Sequence, residues 1–524
     1  MALTTPSSSP AVSVREIDLT SVAPNVQSTT GAFVGGFKWG PVDTRVLVSN
    51  ESELVSLFGA PSKDSVDFLS AAYFLKYSNS LFVVRSVGAG ALNATSMSVQ
   101  DSDGTVSYTG KLIKNESHWE SQVHDEGEFY AKYPGTLGNS LKVTVLDSTS
   151  SSPLMDLFTV APKVGEVHVV VEDVDGGILG NAGILETFEF LSETSGSKTE
   201  QGANNFVEDV INRQSQYVWC KGVISGEYLL GAGTDVDAPV SDYSLFSDVD
   251  TVIVDFLISS SNVVSSELIA IAENRKDCVV VLSPPYSDVV NNPNAVTDIV
   301  TWSKNELTNE STYAVVDCNW LKVYDKYNDQ YVFIPAASST AGLMAATDNA
   351  SAPWFSPAGD RRGNYLGVTD LAYNPTKSER DQLYKVGINP IANIPGSGVV
   401  LYGDKTYVVR PSAFDRINVR RLFLVLERSI SIAGKNVMFE FNDEFTRAEF
   451  VNIVEPLLRE VQGRRGITDF RVVCDETNNT AAVVDRNEFV ASIFIKPARS
   501  INFVTLNFVA VRTGVEFEEI VGSV

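Results

Sequence analysis

The chain has 524 residues, 44% of them hydrophobic and 20% charged, a balance that builds globular cores and excludes an intrinsically disordered protein. Its length exceeds a single core and predicts roughly two to four domains. No apolar run reaches the roughly 18 residues that span a bilayer. The first ten residues lack the basic and apolar regions of a secretory signal, and Cys220, Cys278, Cys318 and Cys474 are too scattered for a disulfide framework or metal cluster. A cytosol-made protein without membrane insertion is expected.

The net charge of −25 is uneven. Residues 95–255 hold 26 Asp and Glu against 8 Lys and Arg, whereas residues 410–524 hold 16 against 15. Such an acidic stretch repels phosphate, which argues against nucleic-acid binding and predicts a solvated outer face.

After a Ser/Pro-rich start, AVSVREIDLT places Val12, Val14 and Glu16 on one side and Ser13, Arg15 and Ile17 on the other, the pattern of a lone extended strand. AFVGGFKWGP, TRVLVS, a helix starting at Ser49 to Ser52, a helix with Phe68, Ala71, Ala72 and Leu75 on one face, and the apolar run LFVVRSV make a small α/β layer. Between about Gly88 and Gly233 short strands such as LKVTVLD and EVHVVVED are broken by DSDG and DVDGG, which predicts an inserted, mainly β domain. From Thr251 the segments TVIVDFLI, SSELIAIAENRKD, CVVVLSPP, a helix over Asn294 to Leu307, and STYAVVD alternate strand with helix. That order predicts a largely parallel sheet with crossover helices.

The last hundred residues read as an α+β unit. Val419, Leu422, Phe423, Leu426 and Ile430 fall on one helical face, with Arg416, Arg420, Glu427 and Arg428 elsewhere around the turn, an amphipathic helix ending near Gly434. A second helix has Thr446 and Glu449 at capping-box spacing and a stripe of Phe450, Ile453, Val454, Leu457, Leu458 and Val461 that crosses Pro456, where a kink is expected. The strands FRVVCD, FVASIFI and FVTLNFVAV follow. An alternating tail at Val515 to Ile520 then offers backbone groups that must be covered, blunted, paired within its own chain or satisfied by another.

The catalytic motifs GxxxxGK[ST], HExxH and GxSxG are missing, and GAG at Gly88 and Gly231 lacks the third glycine of a dinucleotide fingerprint, so both read as turns. All three histidines, His118, His124 and His168, lie in the acidic stretch. Ser338 and Asp317, the nearest candidates for a hydrolase, therefore have no histidine base. Asp101-Asp103-Gly104 and Glu172-Asp173-Asp175-Gly176 stop short of a calcium loop, and His118 and His124, at no zinc-motif spacing, read as surface histidines. Neither metal nor cofactor is expected.

PWFSPAGDRRGNYLGV from Pro353, DQLYKVGINPIANIPGSGVVLYGDKTYV, FDRINVRRLFLVLERSI, the Phe439 to Asp443 segment, PLLREVQGRRGITDFRVVCDE and FVASIFIKP form an ordered set. With AFVGGFKWGP and LFVVRSVG near the N-terminus, they resemble the tail sheath proteins of contractile phages. The resemblance covers the N-terminal layer and everything after about Asp248, with the acidic stretch as a variable insertion. It implies a homo-oligomeric helical sheath around a tail tube protein, joined to baseplate and tail terminator proteins. Such a sheath assembles in the host cytoplasm, is carried in the virion, and contracts to drive the tube through the host envelope for genome ejection. The implied architecture is α/β and α+β multidomain: an N-terminal arm and linker (1–25), an α/β layer (26–90), an inserted acidic mainly β domain (91–235), a subtilisin-like α/β domain without catalytic residues (236–410), a C-terminal α+β domain (411–511) and a C-terminal arm (512–524).

By the same resemblance, neighbouring subunits extend terminal arms into each other's C-terminal sheet. The implied arm residues are Val12, Val14, Glu16, Ile17, Val515, Phe517 and Ile520, and the implied acceptor residues are Ile493, Ile495, Leu506 and Phe508. Bending at Leu19 to Val26 and at Arg512 to Val515 would let the subunits rotate while the arms stay docked. The C-terminal domain would line the inside of the sheath, which makes Arg459, Arg464 and Arg465 candidates for tube contact; the same arginines suit a solvent-facing helix end equally well. A phage-like injection device such as a bacteriocin fits these residues too, and an α/β hydrolase is the competing class.

Overall fold

The computed structural model describes residues 28–501 except 64, 101–105, 126–127, 179, 200, 237–241, 262 and 308. The expected arm around Val12 to Ile17, the strand carrying Leu506 and Phe508, and the tail with Val515, Phe517 and Ile520 lie outside the described residues.

Seven strands form the largest layer: β1 Gly31–Gly35, β2 Val46–Val48, β3 Leu81–Arg85, β4 Phe256–Ile258, β5 Val279–Leu282, β6 Ala314–Asp317 and β7 Ile388–Asn389. Their spatial order is β7-β6-β5-β4-β1-β3-β2. Every neighbouring pair is parallel except β2 with β3. Strands such as VVVL in β5 are buried at every position, as runs without polar alternation require when helices cover both sheet faces. The helices against the sheet include α1 Glu51–Phe58, α2 Val66–Phe74, α3 Ser265–Arg275, α4 Ala295–Glu306 and α5 Ala337–Ala350. Asn50 caps α1 by accepting the Glu53 N–H at 2.9 Å, within the expected start signal.

Helix α2 departs from the one-faced stripe expected of it, since every residue from Asp67 to Phe74 is buried. The reason is that α5 and the strand Gln330–Pro335 pack against it as well as β1 and β3. The approach is close: a Cβ at Gly31 of β1 would stand 2.8 Å from the Phe74 ring, so a side chain there would push α2 off the sheet.

Between β3 and β4 the chain builds a separate β body. Its four-stranded antiparallel sheet runs Gly226–Leu229, Leu141–Leu146, Glu166–Asp173, Gly183–Ser192, beside the pair Glu128–Ala131 and Val218–Lys221. Phe129, Val143, Val169 and Ile211 belong to its own core. His168 lies inside that body, where Nε2 donates to the Val160 carbonyl at 2.9 Å and the ring stacks on Phe158. His124, expected at the surface, is half-buried and stacked on Trp119 with ring centroids 3.5 Å apart; His118 is half-buried too.

Arg85, at the end of β3, joins this body to the parallel sheet. Its guanidinium donates to the carbonyls of Phe37, Lys38 and Gly40 and, at 2.6 Å, to that of Pro134 in the β body. Burial lowers its pKa to about 10.

The C-terminal part contains α6 Ile417–Lys435, α7 Glu444–Gly463 and the antiparallel strands β8 Ile467–Val473 and β9 Ser492–Pro497. The expected stripe of α7 is buried at Phe450, Ile453, Val454, Leu458 and Val461, and Pro456 sits within the helix. Its start differs from the expected Thr446–Glu449 box. Asp443 accepts the Thr446 N–H at 2.8 Å, so a stronger capping residue one turn earlier wins and Thr446 becomes an interior first-turn residue. Among the described residues, no helix is long and apolar enough to cross a membrane.

Candidate assembly surfaces

Helix α6 is shared between two cores. Ile417 and Leu424 join the core of the seven-stranded sheet, while Leu422 and Leu426 pack with Phe450, Val454 and Leu458 of α7. The side expected to be polar docks as well. Arg421 holds Asp348 of α5 with two bonds, Nη1 to Oδ1 at 2.6 Å and Nη2 to Oδ2 at 2.5 Å, and donates to the Ser28 carbonyl at 2.9 Å. Arg428 reaches Asp255, just before β4, at 2.6 Å, and Arg416 reaches Asp404 at 2.8 Å. Arg420 lies between the rings of Tyr313 and Phe414, about 4 Å from each centroid, and donates to Thr312.

The expectation that Arg420 and Arg428 lie on a polar face is therefore corrected: they form a second docking face. Burial pushes the Asp348 carboxyl up to about 6 and raises that of Asp255, while the guanidinium beside each pulls the other way. Arg421 carried no weight in the sequence reading. A usable signal was present, since Val419, Leu422 and Leu424 surround an arginine pair near the start of the helix, where a solvated first turn would favour acidic residues.

Ile493 and Ile495 of β9 pair with Val472 and Phe470 of β8 and turn inward against the α7 core. Phe494, between them, points out and is 60% exposed. Among the described residues β9 pairs with β8 alone.

The three arginines at the end of α7 are not equivalent. Arg459 is exposed and pairs with Glu455 one turn back at 2.9 Å. Arg464 is tied into its own chain: it donates to the Ser351 carbonyl at 2.9 Å and lies over the Trp354 ring, whose Nε1 donates to the Arg464 carbonyl at 3.1 Å. Arg465 adopts φ +66°, the left-handed turn that lets Gly466 N–H reach back to the Val461 carbonyl. Arg465 also lines an open cleft of about 570 Å³ with Trp354, Phe355, Arg362, Arg499 and Ile501.

Asp317 and Ser338, weighed above for a hydrolase, are interior. Asp317 accepts hydrogen bonds from Ser283 Oγ at 2.8 Å and Thr340 Oγ1 at 3.2 Å, and burial pushes its carboxyl up to about 7. The Ser338 hydroxyl is buried on α5 with no hydrogen-bond partner among the described residues.

These bodies make a mixed α/β multidomain protein whose buried charges join one body to the next. Residues 246–407 match the model of the phage tail sheath protein central domain, and residues 409–510 match that of the phage tail sheath C-terminal domain. The chain is 32% identical to the tail sheath protein of Vibrio phage KVP40 and 31% identical to that of Enterobacteria phage T4, in each case over 98% of this chain and 99% of the relative. The chain belongs to the phage tail sheath protein family. As a member of it, the protein is a structural component of a contractile phage tail and not an enzyme, which removes the hydrolase reading.

Solved structures agree on the fold. The sheath complex of an extracellular contractile injection system (PVC), in its contracted state, superposes with a TM-score of 0.55 at 14% identity, over 98% of this chain and all of that one. The sheath tail protein of Desulfitobacterium hafniense gives 0.54 at 13% identity, over 93% of this chain and all of that one.

Proposed function

We propose that this protein polymerises as a helical sheath around an inner tail tube, with baseplate and terminator proteins at its ends, and contracts to drive the tube through the host envelope. The observation that carries this reading is the identity of 31–32% to phage tail sheath proteins along the whole chain. The same identity favours a virion tail over a bacteriocin-like device, because the likeness to an injection-system sheath, at 14% identity, speaks for fold alone. Assembly in the host cytoplasm belongs to this proposal.

The terminal arms complete the sheet of β8 and β9 in neighbouring subunits. Val12, Val14, Glu16 and Ile17, or Val515, Phe517 and Ile520, supply added strands, and Ile493, Ile495, Leu506 and Phe508 belong to the acceptor sheet. The antiparallel pairing of Ile493 and Ile495 with Val472 and Phe470 of β8 supports their place in that acceptor sheet. Four or five backbone hydrogen bonds at about 1 kcal/mol net each, with apolar side chains at roughly 1.5–3 kcal/mol each when fully buried, suffice to hold a neighbour. The basic end of α7, with Arg459, Arg464 and Arg465, faces the tube. The seven-stranded, mostly parallel sheet supports a subtilisin-like topology with its chemistry lost, and the six-part division of the chain set out above goes with it.

Negative-stain microscopy of purified protein tests the proposal. Striated tubes are expected. A protein that stays monomeric with tube protein present at every concentration tried would refute it.

A further inference from the structure

The connection between α6 and α7 presents an apolar surface to solvent. Met438, Phe439, Phe441 and Phe445 are each more than half exposed, and Phe439 is completely so. The loop is nonetheless held in place. Asn442 Nδ2 donates to the Glu488 carbonyl at 2.8 Å and Asp443 caps α7. Phe439 adopts φ +70°, a backbone state that bulky residues rarely enter. The aromatics thus project from a pinned turn. Glu440, Asp443 and Glu444 lie among them, and the stretch from 436 to 446 has no basic residue.

The opposite end of α7 has complementary chemistry. Trp354, Phe355 and Ile501 give the cleft beside Arg465 apolar walls, and Arg362, Arg465 and Arg499 bring three guanidinium groups that form no ion pair among the described residues. Asp404, also in the lining, is held by Arg416. With 20 residues, α7 is about 30 Å long, so the loop at its start cannot reach the cleft at the end of the same helix. A second copy can.

We propose that the 438–445 loop of one copy seats in the Trp354–Arg465 cleft of a neighbouring copy, aromatic side chains against its apolar walls and carboxylates against its arginines. The contact joins two different surfaces head to tail, the geometry that generates an open helical array. It presupposes the polymer proposed above and adds a site to the strand exchange between arms.

The test uses the full-length chain under conditions in which the unaltered protein forms tubes. Phe439→Ser with Phe441→Ser, and separately Arg499→Glu, are expected to leave thermal unfolding unchanged, because these side chains are exposed. Each is expected to raise the protein concentration needed for polymerisation at least tenfold. Glu440→Arg combined with Arg499→Glu is expected to restore much of the loss. The native cysteines are buried, so a Phe441→Cys protein mixed with an Arg499→Cys protein reports the contact by a short bismaleimide cross-link between copies. Normal polymerisation of both variants, or cross-linking of Phe441→Cys to tube protein or of Arg499→Cys to the same chain beyond residue 501, overturns the proposal while the sheath reading stands. If no condition, with tube protein included, yields tubes of the unaltered protein or a cross-link between copies, both are overturned.

Discussion

Arg421 of α6 and Asp348 of α5 form a two-pronged ion pair whose side chains are 5% and 4% exposed, and the same guanidinium holds the Ser28 carbonyl. Removing one partner strands a buried charge. Arg421→Met is therefore expected to destabilise the protein by about 3–5 kcal/mol, whereas adding Asp348→Leu should recover most of that loss. Urea unfolding of the three proteins compares them, and a double variant no better than the single one contradicts the account.

Asp317 should shape the pH dependence of stability. Its native pKa of about 7 lies above the ordinary 3.8, so the native state binds the proton more tightly than the unfolded chain does. Its contribution is fullest below about pH 4 and is lost as pH rises towards 7, by up to about 1.4 kcal/mol per pH unit. Asp348, raised to about 6, acts in the same direction. Asp317→Asn keeps the acceptor for Ser283 and replaces the charge by an amide that can donate to Thr340. The variant is expected to gain on the unaltered protein between pH 5 and pH 8, followed by tryptophan fluorescence during urea unfolding. Parallel stability curves over that range would rule out Asp317 as the titrating group.

The arm assignment predicts a separation of folding from assembly. Ser28 is anchored by Arg421 and Asp348, and the Thr30 carbonyl accepts from the Asp255 and Phe256 N–H groups, so these contacts that hold the start of β1 lie outside the first 20 residues. Deleting residues 1–20 is expected to leave thermal unfolding within a degree or two and to abolish polymerisation. Normal tubes from the truncated protein would be incompatible with strand donation by Val12 to Ile17.

Leu458 of α7 is completely buried against α6 and the β8–β9 sheet. Leu458→Ala should cost about 2–5 kcal/mol, depending on how far the core collapses into the cavity. Proteolysis within the C-terminal part should rise with it. Equal cleavage rates in the two proteins would show that this core does not limit local opening.

Much of the architecture was legible. The alternation of strand and helix after Thr251 appears as β4, α3, β5, α4 and β6, because buried parallel strands announce themselves as unbroken apolar runs. The inward setting of Ile493 and Ile495 follows from simple alternation along β9. The docking face of α6 did not follow, since periodicity counts apolar residues, whereas this face is made of arginines. Their partners, Asp255 and Asp348, lie far away in sequence. The exposed Phe439 and Phe441 escaped for the opposite reason: aromatic residues usually signal interior, whereas the fold projects these two from a turn.

The seating of α6 in two cores at once has a mechanical meaning. A helix held by apolar contacts to both cores and by the ion pairs of Arg416, Arg421 and Arg428 works like a keyed shaft between the C-terminal part and the seven-stranded sheet. To turn the C-terminal part against the sheet, the buried pairs Arg421–Asp348 and Arg428–Asp255 would have to part, which places the cheaper give of a shortening lattice at the joints between subunits.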